Sequence, residues 1–167
     1  MNQRTTLALS TTALLCLGFT LPGDAVAQTA KELVGTWKQV SNVTISQDGR
    51  RSDVFGPNPN ALLIFDANGR FASVTTRPDL PKFASNNRMQ GTAEENKAIV
   101  QGSIAFFGTY SVADKIVSLK VEGSTWPSWT GTDQKRPIIS LAGDDMKWTV
   151  PTPSVGGTGE VTYKRVK

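Results

Sequence analysis

Turn-forming residues recur through this chain at intervals too short for ordinary helices, and that rhythm constrains the fold more than any other feature. Asp48-Gly49, Gly56-Pro57-Asn58-Pro59-Asn60, Asp66-Ala67-Asn68-Gly69, Ala113-Asp114, Ala142-Gly143-Asp144-Asp145 and the Gly-rich stretch 154–159 punctuate the sequence. Gly and Asn reach positive φ at low cost, and Asp and Asn side chains bond their own backbone, so these clusters reverse the chain. The segments left between them are 33–44, 51–55, 61–65, 70–76, 104–112, 115–122, 134–141, 146–150 and 160–166. Eight or nine strands at such close spacing predict an all-β antiparallel barrel or sandwich.

Alternation within the strands assigns their faces, because successive side chains point to opposite sides. Met146, Trp148 and Val150 alternate with Lys147 and Thr149, and Val117, Leu119 and Val121 alternate with Ser118, Lys120 and Glu122. Phe106, Gly108, Tyr110 and Val112 share one face, as do Gly35, Trp37, Gln39 and Ser41, and Val161, Tyr163 and Arg165. The expected interior is apolar, with Gln39, Ser41, Tyr110 and Tyr163 as polar exceptions.

One connection breaks the rhythm. Residues 77–103 include Pro78 and Pro81, then Thr92-Ala93-Glu94-Glu95, a capping-box pattern that opens a helix running through residues 96–100. A long connection of this kind in a compact domain often serves as a lid or binding loop.

The first 27 residues read as a secretory address. Arg4 is followed by an apolar stretch over residues 7–21, a Pro22-Gly23 break and the small-residue site Ala25-Val26-Ala27. The apolar stretch is diluted by Ser10, Thr11, Thr12 and Gly18 and falls short of the ~20 residues needed to span a bilayer. The expected organisation is a cleaved signal over 1–27 and one barrel domain over 28–167, in the periplasm or secreted, with no stable membrane anchor. The only Cys, Cys16, lies in the signal and is preceded by Leu15 where a lipoprotein needs a small residue.

A chain without His, and without Cys after residue 27, builds no Ser-His-Asp or Cys-His site and lacks the usual zinc ligands. No catalytic residue, cofactor or metal is expected. The net charge of +4 is scattered over pairs such as Arg50-Arg51, Lys135-Arg136 and Lys164-Arg165, too short to track phosphates, so nucleic acid is not an expected partner. These pairs read as solvated strand edges.

Several stretches together resemble the bacterial lipocalin-like domain family, across nearly the whole chain after the signal. They are Leu33-Val34-Gly35-Thr36-Trp37, Phe55-Gly56-Pro57-Asn58-Pro59, Leu63-Ile64-Phe65-Asp66, residues 77–84, Gly108-Thr109-Tyr110-Ser111, Glu122-Gly123-Ser124 and residues 131–136. The resemblance implies one up-and-down barrel with a cup-like interior. It also implies that the indole of Trp37 crosses the barrel floor beneath Arg165, both in structural roles. Thr132-Asp133 resembles a second lipocalin motif, with Gln134 where that pattern has an aromatic.

The expected function is binding of a small apolar or amphipathic molecule in the lumen. Candidate ligand contacts are Gln39, Ser41, Tyr110 and Trp148 inside the cup, and Arg77, Arg88, Glu122 and Trp126 at its mouth. Two rivals remain: a cofactor-independent isomerase or cyclase using Tyr110, Glu122 and Arg88, and a filled barrel with an envelope interaction or stress role. Oligomeric state is left open.

Overall fold

A computed structural model describes residues 30–167. The segment expected to be a signal, with Arg4, Cys16 and Ala25-Val26-Ala27, lies outside the described residues. Nine strands form one antiparallel sheet: β1 Gly35–Ile45, β2 Arg51–Asp53, β3 Asn60–Phe65, β4 Arg70–Thr76, β5 Ser103–Ala113, β6 Ile116–Ser124, β7 Asp133–Ala142, β8 Asp145–Val150 and β9 Thr158–Arg165. Each of β3 to β9 pairs with its sequence neighbour, and β1 pairs with both β3 and β9. The result is a closed eight-stranded up-and-down barrel, with β2 as a short extra strand on the far end of β1. Closure leaves the barrel strands no free edge, which distinguishes the barrel from the sandwich also allowed by the strand rhythm.

The turns use the expected chemistry. Asp66 Oδ1 accepts from the backbone N–H groups of Asn68 and Arg70, both at 2.8 Å, and Gly69 follows at φ +81°. Asp114 and Lys115 both take positive φ in the tight β5–β6 turn, which matches the twist of the flanking strands.

The one excursion is residues 77–102, inserted between β4 and β5. Pairing of those strands runs up to Thr76 against Ser103, and the Arg77 N–H donates to the Gly102 carbonyl at 2.8 Å, clamping the base of the loop. The loop carries a 3-10 turn, Arg88–Gln90, and helix α1, Ala93–Gly102. Thr92 Oγ1 accepts from the Glu95 N–H and Glu95 Oε2 accepts from the Thr92 N–H, a complete capping box. Glu95 Oε1 also accepts from the Ala84 N–H at 2.8 Å, tying the helix to the preceding loop.

Three bulges interrupt the ladders, one of them where β5 meets β6 between Phe107 and Gly108. β1 pairs Gln39 with Tyr163 but Ser41 with Thr162, so Val40 is an extra residue and the alternation slips by one beyond it. Asn42 and Thr44 therefore face inward, and Ser41 shares the outer face with Thr162. This corrects the assignment of Ser41 to the lumen, which assumed unbroken alternation. In β7 the same irregularity falls between Ile138 and Ser140.

Trp37, Leu63, Phe65, Val117, Leu119 and Met146 are buried at the closed end. Residues 30–33 form a helical turn that caps that end, where Leu33 is fully buried and its carbonyl accepts from Trp37 Nε1 at 2.8 Å. The mouth lies at the opposite end, ringed by the 54–59, 77–102, 125–132 and 151–157 connections.

Candidate functional site

The mouth half of the barrel is not filled. It holds a cavity of about 60 Å³, counted as space open to the centres of water molecules, which is room for a few waters or a small polar group. Its wall includes Gln39 from β1, Thr75 from β4, Phe106 from β5, Arg136 from β7, Trp148 from β8 and Tyr163 from β9. No carboxylate belongs to that wall. Outside it, between α1 and the barrel rim, lies a cleft of about 580 Å³ lined by Arg77, Ile99, Val100 and Trp126. Val54, Phe55, Ile104, Ser154 and Val155 line both spaces, so they stand between the cleft and the inner chamber.

Arg136 is the unexpected member. It is 2% exposed, projects inward opposite Val117, and donates from Nη1 to the Lys135 carbonyl at 2.8 Å. Its guanidinium carbon lies 5.5 Å from the Trp129 ring centroid, and Trp129 in turn packs edge-on against Phe106. Burial pushes the guanidinium down to about 10, because the charged form loses its hydration. It remains a cation at neutral pH. Reading Lys135-Arg136 as a solvated pair is therefore right for Lys135 and wrong for Arg136. The missed signal was the register: once Val117 and Leu119 are inward, their antiparallel partners Arg136 and Gln134 are inward too.

Two donors in this wall have no partner. Gln39 Oε1 accepts from Thr75 Oγ1 at 3.4 Å while its Nε2 is unpaired, and Trp148 Nε1 is unpaired; both residues are 2% exposed. Gln134, on the same inward face of β7 as Arg136, donates from Nε2 to Thr132 Oγ1 at 2.9 Å and has its Oε1 unpaired. Tyr163 sits opposite Gln39, packs edge-on against Trp148 at 5.0 Å, and lies close enough to Arg136 to feel its charge. Burial drives its phenol far above the usual range, so it stays protonated and able to donate.

The other candidates sort by position. Gln39 and Trp148 line the chamber, and Arg77 and Trp126 line the cleft. Arg77 is bound through Nε and Nη2 to the two oxygens of Asp79, both at 2.9 Å. Arg88 is exposed in its 3-10 turn and borders neither space. Tyr110 is in the closed half, where its hydroxyl donates to the Asp66 carbonyl at 2.9 Å and its ring packs on Phe65. Glu122 points outward and pairs with Arg70 at 2.7 Å; that guanidinium holds its carboxyl below the usual range. Glu122 is the extra residue of a bulge in β6, between Val121 paired with Gly108 and Gly123 paired with Phe107, and its ion pair with the exposed Arg70 holds it on the outer wall, so its place among the ligand contacts at the mouth is corrected.

At the closed end Arg165 covers Trp37, with its Cζ 4.1 Å from the ring centroid. Arg165 also donates to the Val34 carbonyl at 2.7 Å and to the Glu32 carbonyl. Gly35 takes φ +131°, and a Cβ there would meet Arg165 Nη1 at 2.7 Å, so glycine is what lets the guanidinium lie flat.

Residues 34–155 match the family described as the lipocalin-like domain. The chain belongs to that family. Over 87 residues this lipocalin-like protein is 29% identical to the 4'-hydroxy-3'-methoxypropiophenone carrier protein of Aspergillus oryzae, a match covering 47% of this chain and 78% of that protein. Two solved structures are similar at 15% identity. A lipocalin-like protein from Bacteroides uniformis gives a TM-score of 0.47, covering 81% of this chain and 99% of that one. An uncharacterized protein from Bacteroides eggerthii gives 0.42, covering 79% and 98%.

Proposed function

We propose that this lipocalin-like protein is an exported carrier that holds one small apolar or amphipathic molecule at the mouth of its barrel. The observation that carries the reading is the paired space: a chamber with unpaired buried donors, adjoining a larger cleft beside α1 across Val54, Phe55, Ile104, Ser154 and Val155. A barrel meant only to be filled would not leave buried donors unmatched beside empty volume, since each costs free energy unless something accepts from it. The Aspergillus relative bears the name of a carrier of a small aryl ketone, in keeping with the same reading. The cargo leaves unchanged, because the chamber wall offers no acid–base pair.

The protein acts in the periplasm or after release, without a stable membrane anchor and without nucleic acid as a partner. The signal over residues 1–27 supports this placement. Native mass spectrometry of protein purified from its own periplasm tests the carrier reading. The expected result is a discrete small molecule bound with one-to-one stoichiometry and released on denaturation. Bare polypeptide from several growth conditions, with no uptake of added apolar probes, would overturn it.

A further inference from the structure

We infer that the chamber selects a ligand with an anionic head, a carboxylate or its equivalent, which enters head-first and is neutralised by Arg136. The inference rests on the carrier reading above and names the class of cargo. A guanidinium carries five N–H donors in a planar fork. Here one of its nitrogens is satisfied by the Lys135 carbonyl and one face by Trp129, and no carboxylate lines the wall around it. A buried charge without a counter-charge is unfavourable, and proteins otherwise pair or avoid it. Arg77 in the outer cleft shows the contrast, because Asp79 binds both prongs of its fork.

The surrounding groups point the same way. Gln39 Nε2 and Trp148 Nε1 are unpaired N–H donors in the same wall, and the Tyr163 phenol is kept protonated by burial. Arg136, Gln39, Trp148 and Tyr163 bring donors to a wall without a carboxylate, around a space large enough for a carboxylate and too small for a lipid tail. The body of the ligand then lies past Phe55 and Ile104, against Ile99, Val100 and Trp126 in the cleft. An aromatic or short branched apolar body fits that arrangement. A neutral ketone would use Gln39 and Trp148 but would leave the Arg136 charge uncompensated.

The test uses 2-naphthoate, its neutral methyl ester, and naphthalene as probes, with affinities measured by titration calorimetry on the exported protein. Charge-assisted bonds are about twice as strong as neutral ones, so 2-naphthoate is expected to bind at least ~10-fold tighter than the ester. Arg136→Met should lower naphthoate affinity at least ~10-fold and change ester affinity less than ~3-fold, and Arg136→Lys should fall between. Gln39→Leu, which keeps the charge, should weaken both polar probes together. It supplies the readout if the Arg136 variants fail to fold. Equal binding of acid and ester, or naphthoate binding that survives Arg136→Met, overturns the anionic class and leaves the carrier reading standing. Failure of all three probes on a protein that also carries no cargo from the periplasm overturns both.

Discussion

The guanidinium of Arg165 lies over the indole of Trp37 at 4.1 Å, and the two residues are also direct partners in the β1–β9 ladder that closes the barrel. First and last strands are thus joined by backbone pairing and by a cation–π contact at the same register point. Such a contact contributes ~0.5–2 kcal/mol, and the Arg stem covers apolar ring surface besides. Removing the side chain also removes its donors to the Val34 and Glu32 carbonyls. Arg165→Ala should therefore destabilise the fold by about 1–3 kcal/mol. Its neighbour Lys164 is exposed and pairs with Asp145 at 3.3 Å on the outer face, so Lys164→Ala should cost less than about 0.5 kcal/mol. Denaturant melts of the two variants check this, and equal small effects would count against it.

Gly108 marks a second constraint. A bulge falls between Phe107 and Gly108 where β5 meets β6, and a Cβ at Gly108 would stand 1.9 Å from the Lys120 carbonyl oxygen. That atom is backbone, so the strands would have to part. Gly108→Ala is expected to cost about 2–4 kcal/mol, more than typical surface changes, and to abolish the β5–β6 amide protection seen by hydrogen exchange. Preserved protection and an unchanged melt would show that the bulge relaxes freely.

These two sites show why the frame was legible in the sequence. Gly35, Trp37 and Arg165 are set by local alternation plus closure, and the turn residues of 66–69 and 113–114 fix the hairpins wherever the rest of the chain goes. The capping box of α1 is equally local. What alternation could not supply was a change of phase. Val40 flips the outer half of β1, so Ser41 lost its place in the cup to Asn42 and Thr44. Arg136 was hidden for a different reason: charge in a basic pair reads as surface until the register with β6 is known. Gln39 and Trp148 survived as site residues because each precedes or avoids a bulge on its own strand.

Arg136 should trade stability for binding. Burial lowers its guanidinium to about 10 from an ordinary value above 12, so the charged form is disfavoured in the fold. Arg136→Met fills the same space without that penalty and is expected to raise the stability of the ligand-free protein by about 1–3 kcal/mol. The pH sign follows from the direction of the shift. Below about pH 10 the wild type carries the full penalty of a charge that the unfolded chain holds at no cost. As pH rises through that value the folded protein releases the proton first, so the gap between wild type and variant should narrow. Urea melts of both proteins at pH 7 and pH 11 measure the gap. A variant less stable than wild type at pH 7 would mean that the Trp129 contact and the Lys135 hydrogen bond outweigh the burial cost.

Between about pH 6 and 8, binding of any neutral or fully ionised probe should change less than about threefold, because no His is present and the perturbed groups titrate outside that window. Glu122 and Glu160 are held below the usual range by Arg70 and Arg51, so what they contribute is present above the ordinary carboxylate value and lost as pH falls through their lowered values. Glu122→Gln should leave probe affinity at pH 7 unchanged, since the residue faces the outer wall. A midpoint near neutrality, removed by that substitution, would return Glu122 to the site.

The lid gives the last prediction. Glu95 holds three pieces together: its two oxygens accept from Thr92 and Ala84, both at 2.8 Å, and its own N–H is capped by Thr92. Those bonds keep its carboxyl ionised below the usual range. They also fix the start of α1 against the 77–91 loop, and α1 contributes Ile99 and Val100 to the cleft. The Arg77–Gly102 hydrogen bond joins the two ends of the excursion at its base. Glu95→Ala removes both acceptors, and losing a helix cap costs roughly 1 kcal/mol. Because the excursion lies outside the closed sheet, that loss should appear as local opening, with faster amide exchange at residues 84, 92 and 95 and a global melt that moves little. The lid would then open more often, and the dissociation rate of a bound probe should rise about 3–10-fold while its association rate changes less. Glu95→Gln keeps one acceptor and should fall between. Stopped-flow displacement of 2-naphthoate reads these rates directly. If Glu95→Ala accelerates local exchange and leaves the dissociation rate untouched, then α1 does not gate the cleft, and the ligand leaves past the 151–157 loop instead.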